Sequence, residues 1–316
     1  MTRLLSAFAV CCAALPLYTA AAERTYDTDI LADTFGFDES TPKSVALEDL
    51  HQGCPARDCI RSIDDPKYVA ADAASHVADD DPVIAIALNG DHRAYPARIM
   101  DRHEIVNDTI GGIPVAITWC PLCGSAVGIR REIAGELTEF GVSGLLYNSD
   151  LVLYDRASET LWDQIEAKGI VGRRTGETLA LVPVTMTTWE RWREAHPDTR
   201  ILSTDTGHSI DYSTDRYARY RGSDGIMFPV NNEDDRIHPK TVVYGFDVDG
   251  RSVAYTASLL DDGGKHAHTS GDLELVAEMG EDGSVTARDQ HGGRYTPTRL
   301  FWFAWYTFHP DTELVR

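Results

Sequence analysis

The sequence predicts an α+β protein, mostly antiparallel β, built from two unequal duplicated halves with short Trp-rich helices. Three observations predict it. Apolar alternation on either side of Asn89-Gly90, in "PVIAIALNGDHRAYPARIM", is a hairpin pattern. The same pattern returns around Asp249-Gly250 in "TVVYGFDVDGRSVAYTASLL", with the same Ala-Tyr ending. Finally, Trp189-x-x-Trp192-x-x-x-His196-Pro-Asp-Thr recurs as Trp302-x-x-Trp305-x-x-x-His309-Pro-Asp-Thr. Two matches in the same order imply an internal repeat.

Taken in chain order, residues 1–22 read as a secretory signal peptide. Arg3 precedes an apolar run from Leu4 to Tyr18, and small residues end at Ala20-Ala21-Ala22. The run is too short to span a bilayer, and no later segment is apolar enough to do so. The expected location is therefore periplasmic or extracellular, without membrane insertion after cleavage. Residues 23–81 form an N-terminal arm rich in turn signals, closed by a helical patch and the charged "ADDDP". Residues 82–205 make the first half, 206–239 an acidic, Tyr-rich connection, and 240–316 the second half.

The chain carries a formal net charge of −21. Such a surface repels phosphate backbones and anionic lipid, which argues against nucleic acid as a partner and leaves a small molecule or a metal donor. Its simplest meaning is solubility. Cys54, Cys59, Cys120 and Cys123 remain after cleavage, and in an oxidising compartment an even count makes two disulfides the default. Cys54 and Cys59 flank the turn-like Pro-Ala-Arg-Asp, so a local disulfide is expected there.

The stretches "HEIVND", "TWCPLCGSAVGI", "FGVSGLLYNSDLVLYDR", "LWDQI" and "FWFAWYTFHPDT" together resemble a family of secreted bacterial and archaeal proteins described as a domain of unknown function. The resemblance covers most of the chain after Ala22 and implies a shared fold and a shared site, but no activity. At Cys54 and Cys59 the chain departs from it, which marks that pair as a local addition.

Cys120 and Cys123 carry the chemistry. A thioredoxin-type site needs a long helix directly after its Cys-x-x-Cys, so that the helix N-terminus lowers the first thiol's pKa. Here "IPVAITW" supplies a strand before the pair, but Gly124, Ser125, Val127, Gly128 and Ile129 are poor helix material. Thiol–disulfide exchange is thus the alternative reading. Metal binding is favoured, since cysteines at i and i+3 of a turn place two thiolates on one side.

His103 is the first candidate for a third ligand, because "GGIPVAITW" is one turn and one strand and can fold back beside the cysteines. His309, after an aromatic helix, is a second candidate. His196 holds the same place in the other half without cysteines, and this weakens the case for His309. Ser143, Tyr147 and Asn148 are candidate donors to a bound ligand, with a β-turn at Asn148-Ser149 as the plainer reading. Asp155 and Asp163 read as turn or cap residues. Thiolates with imidazole favour copper, with zinc as the alternative, so the expectation is an extracytoplasmic copper-dependent oxidoreductase. A non-catalytic module with a structural zinc or disulfide is the rival class.

Overall fold

The computed structural model describes residues 29–261 and 263–316. The expected signal peptide lies outside the described residues. Among the described residues no helix is long and apolar enough to cross a membrane.

Both predicted hairpins form. Pro82–Leu88 pairs with Asp91–Pro96, and Val242–Val248 pairs with Arg251–Thr256, all antiparallel. Each turns through two residues with positive φ, Asn89 (50°) and Gly90 (78°) in one and Asp249 (53°) and Gly250 (78°) in the other. That pair of left-handed residues matches the right-handed twist of the flanking strands, which is why Asn-Gly and Asp-Gly occur there.

Each hairpin is the centre of a sheet with one shared plan. Thr185–Thr188 lies antiparallel against the first strand of the first hairpin, and Thr298–Phe301 does the same in the second. Thr188 faces Pro82 and Phe301 faces Val242, so the Trp helices, Trp189–Ala195 and Trp302–Phe308, leave their sheets at the same register. After each helix the chain re-enters parallel to the hairpin's second strand, through Arg200–Leu202 and Glu313–Val315.

The repeated motif has a local physical cause. The indole N–H of Trp192 donates to Thr199 Oγ1 at 2.9 Å, and that of Trp305 donates to Thr312 Oγ1 at 2.8 Å. His196 and His309 pack on those same indoles with ring centroids 4.0 and 3.7 Å apart. Trp, His and Thr thus close the helix end as one unit and satisfy a buried donor that would otherwise be stranded.

Between hairpin and Trp helix the two halves differ. The second inserts a four-stranded antiparallel meander, starting at Lys265–Ser270. The first inserts two larger sheets and a two-stranded ribbon, Glu132–Ile133 with Glu136–Leu137. One larger sheet contains Ile105–Ile110, Ile113–Cys120 and Ser125–Arg130; the other contains Phe140–Tyr147 and Asp150–Asp155. The arm expected to be irregular supplies strands to both neighbours. Leu50–Gln52 pairs with the end of Phe140–Tyr147, and Tyr68–Ala70 extends the first hairpin sheet. Strands of three residues are too short to show alternation in the sequence, and they form because exposed sheet edges offer unpaired backbone groups.

The largest apolar cluster joins the halves. Cys120, Leu122 and Cys123 of the first pack with Leu300, Phe301, Trp302 and Trp305 of the second. The Phe301 N–H donates to the Cys123 carbonyl at 2.7 Å, so the second half's Trp helix starts on the cysteine turn.

Candidate metal centre

Cys120 ends the strand Ile113–Cys120 and pairs with Ser125, leaving Pro121–Gly124 as the turn. Gly124 sits at φ 62°, and a Cβ there would meet the Phe301 ring at 2.9 Å, so the position admits glycine alone without a shift. No helix follows: Ser125–Arg130 is a strand, as the glycine-rich sequence predicts. Both thiols are buried and unbridged.

The facing wall comes from the hairpin Phe140–Tyr147/Asp150–Asp155. Its turn residues, Asn148 (φ 51°) and Ser149 (φ 63°), are both left-handed. This aims the Ser149 carbonyl at the cysteines, where it accepts from Cys123 Sγ at 3.3 Å and from Cys120 Sγ at 3.9 Å. The next residue is Asp150, fully buried. Its Oδ2 accepts the backbone N–H groups of Gln164 (3.1 Å) and Ile165 (3.0 Å). Its Oδ1 has no hydrogen-bond partner among the described residues. One ligand atom each from Cys120, Cys123 and Asp150 lie within 4.8 Å of one another.

The electrostatics follow from this crowding. Burial, then the neighbouring Cys120, holds the Asp150 carboxyl well above the usual carboxylate range. Burial pushes the Cys123 thiol well up as well, with Cys120 and Asp150 adding to it. Asp163, also buried, is raised by burial and then by Asp150. Cys120, Cys123 and Asp150, crowded together and buried, cannot all ionise alone, whereas a bound cation reverses that order and deprotonates them.

A buried polar network fixes the turn from behind. Ser125 Oγ donates to Gln164 Oε1 at 2.7 Å, and Gln164 Nε2 donates to Thr118 Oγ1 at 3.0 Å. On its other side Cys120 borders a cavity of about 130 Å³ that Glu104 and Tyr217 also line. Glu104 caps the helix Ala97–His103 in a left-handed conformation (φ 58°), and burial followed by Asp101 and Asp150 pushes its carboxyl up to about 8.

The predicted ligands divide sharply. The chain folds back beside the cysteines as expected, and Trp119 N–H donates to the Glu104 carbonyl at 2.7 Å. His103 nevertheless turns elsewhere. Its Nδ1 bonds the Arg61 carbonyl at 2.6 Å and its Nε2 bonds the Tyr212 hydroxyl at 2.6 Å, so neither nitrogen is free for a metal. His309 is likewise engaged, with Nε2 3.2 Å from the Glu166 carboxylate and Nδ1 3.1 Å from Ser252 Oγ. Asp150 stands where the third ligand was expected.

The three expected ligand donors have structural partners. Ser143 Oγ donates to the Val152 carbonyl at 2.5 Å and accepts from Leu145 N–H, bridging an irregularity in its hairpin. Asn148 Oδ1 accepts from Asn231 N–H at 2.8 Å, and the Tyr147 hydroxyl accepts from Asn231 Nδ2 at 3.4 Å. They hold the acidic connection in place. Asp155 accepts from Ser158 and from the Trp162 indole, and Asp163 accepts from Glu166 N–H, the turn roles expected of them. The expected Cys54–Cys59 disulfide is present.

Sequence reasoning missed Asp150 and Glu104. The available signal was an acid opening the otherwise apolar strand "DLVLYD", and a second acid directly after His103.

The family model described as "Protein of unknown function (DUF3179)" matches residues 57–296. The chain belongs to the DUF3179 family. The DUF3179 region contains Glu104, Cys120, Cys123 and Asp150, while Cys54 and the Trp302–Phe308 helix lie outside it. No curated protein and no solved structure matches the chain.

Proposed function

We propose that this DUF3179 protein is an extracytoplasmic metal-binding protein whose ion is held by Cys120, Cys123 and Asp150. The observation that carries the reading is the fully buried Asp150 Oδ1, unpartnered among the described residues and clustered with both sulfurs. A buried carboxyl oxygen left without a partner costs about 1–3 kcal/mol in general, and a cation at that point removes the cost while deprotonating Asp150 and the thiols. The short Cys54–Cys59 disulfide supports export to an oxidising compartment.

The copper expectation drew on imidazole ligands, and both candidate histidines are engaged elsewhere. Two thiolates with a carboxylate suit zinc better. Three protein ligands leave a fourth position, and the cavity beside Cys120 is where a small molecule would reach it. Zinc there would act as a Lewis acid toward that molecule. Thiol–disulfide exchange is disfavoured, because burial raises the Cys123 thiol instead of lowering it and a strand, not a helix, follows the pair.

The test is metal content and thiol titration of exported protein purified with zinc and copper supplied. The reading predicts about one ion per chain, lost in Cys120→Ser and Cys123→Ser. Reduced wild-type protein that binds neither metal contradicts it.

A further inference from the structure

The cavity beside Cys120 is not explained by holding an ion. Its walls are apolar, from Leu122, Val142, Leu146, Leu151, Met227 and Phe228, and one carboxyl interrupts them. That carboxyl belongs to Glu104, which is 8% exposed, lines the cavity and is engaged through its backbone groups by Met100 and Trp119. A carboxyl that opens onto a cavity with otherwise apolar walls is placed to meet a group that arrives from outside.

Geometry and charge limit what that group can be. About 130 Å³ is close to the roughly 150 Å³ that holds a benzene ring in an engineered apolar cavity, so the occupant is compact. Asp101 and Asp150 act on Glu104 as like charges, against Arg216 alone of opposite sign. An anion would lose its hydration among apolar walls, in surroundings that already disfavour negative charge enough to keep Glu104 and Asp150 protonated. A neutral molecule with a single polar end buries its body against the walls and gives that end to Glu104.

We infer that this cavity binds a small, neutral, mainly apolar molecule of about the size of a phenol, with Glu104 as its hydrogen-bonding group and the metal-bound Cys120 edge beside it. This deepens the metal reading, and only the placement of the ion rests on it. The cover is provided by the connection: Tyr217, Met227 and Phe228 come from it, and the Tyr220 hydroxyl donates to the Leu122 carbonyl at 3.1 Å. The disulfide loop closes the opposite rim through Gly53 and Cys54.

The experiment uses zinc-loaded full-length mature protein with ¹³C-methyl methionine, titrated separately with phenol, benzene and benzoate. Phenol is expected to shift the Met227 methyl signal saturably while Met279 stays still. Benzene should bind about tenfold more weakly, the value of one hydrogen bond to a buried acid, and benzoate should not compete. Glu104→Leu should bring the phenol-to-benzene ratio close to one, a change that mere loss of packing would not produce. Leu146→Phe, which fills the cavity, should abolish both shifts. Absence of a saturable Met227 shift, benzoate binding equal to phenol, or an unchanged ratio in Glu104→Leu would overturn the inference.

Zinc content measured on the same samples separates the two readings. Stoichiometric zinc without phenol binding removes this inference and leaves the metal site. Phenol binding with the Glu104→Leu effect in protein that holds no zinc supports the cavity and removes the metal.

Discussion

Replacing Glu104 by glutamine tests the electrostatics of the site without disturbing its shape. In the metal-free protein this carboxyl is pushed from 4.5 to about 8 by burial and by its acidic neighbours Asp101 and Asp150. The folded chain therefore keeps a proton on Glu104 where the unfolded chain has already lost it. The stability this contributes is fully present below pH 4.5 and is lost as the pH rises toward 8. At about 1.36 kcal/mol per pH unit the whole loss is on the order of 5 kcal/mol. Glutamine keeps the side chain's shape and cannot ionise, so Glu104→Gln should match wild type near pH 4.5 and exceed it increasingly up to pH 8. Asp101, pushed up to about 6, gives a slope of the same sign at lower pH, but it is present in both proteins and cancels in the difference. The assay is urea unfolding of reduced, metal-free protein across this range. Parallel stability curves for the two proteins would refute the buried, proton-holding Glu104 described above.

The other expectations are more local. Thr312→Val and Thr199→Val each strand a Trp indole N–H in the core, and each should cost about 1–3 kcal/mol in thermal or urea unfolding. Similar losses at both positions would mark the two motifs as equivalent. Removing the Cys54–Cys59 disulfide with paired serines should cost about 2 kcal/mol, given its short loop, and leave zinc stoichiometry unchanged. Asp150→Asn should weaken zinc at least about tenfold in a competition titration, yet leave metal-free stability equal or higher, since it removes a buried acid.

What could be read from the sequence was whatever local chemistry enforces. Asn89-Gly90 and Asp249-Gly250 dictate their turns by conformation, and the Trp-His-Thr unit closes over eight residues through contacts within itself. The Cys120–Cys123 turn, and the strand that replaces a helix after it, were legible for the same reason. The ligand set was not. His103 lies one hairpin from the cysteines in the chain, but its orientation is set by Tyr212, 109 residues away. Asp150 enters the site only because a two-residue turn and the backbone of Gln164 and Ile165 hold its carboxyl there. The arm's strands, three residues each, depend wholly on distant partners such as Tyr147 and Ile201. Side-chain direction and edge pairing are decided by the assembled fold, and neither leaves a periodic trace in the chain.

Cobalt(II) titration of the reduced, metal-free protein reaches the central claim most directly, because cobalt reports both ligand type and geometry in its visible spectrum. One equivalent should develop intense thiolate-to-cobalt charge-transfer bands with the d–d pattern of tetrahedral coordination, displaced by zinc. Cys120→Ser and Cys123→Ser should each abolish the charge-transfer bands or sharply reduce them, and Asp150→Asn should alter the d–d pattern while His103→Gln leaves it unchanged. A wild-type spectrum that stays that of hydrated cobalt would contradict a metal centre at Cys120, Cys123 and Asp150.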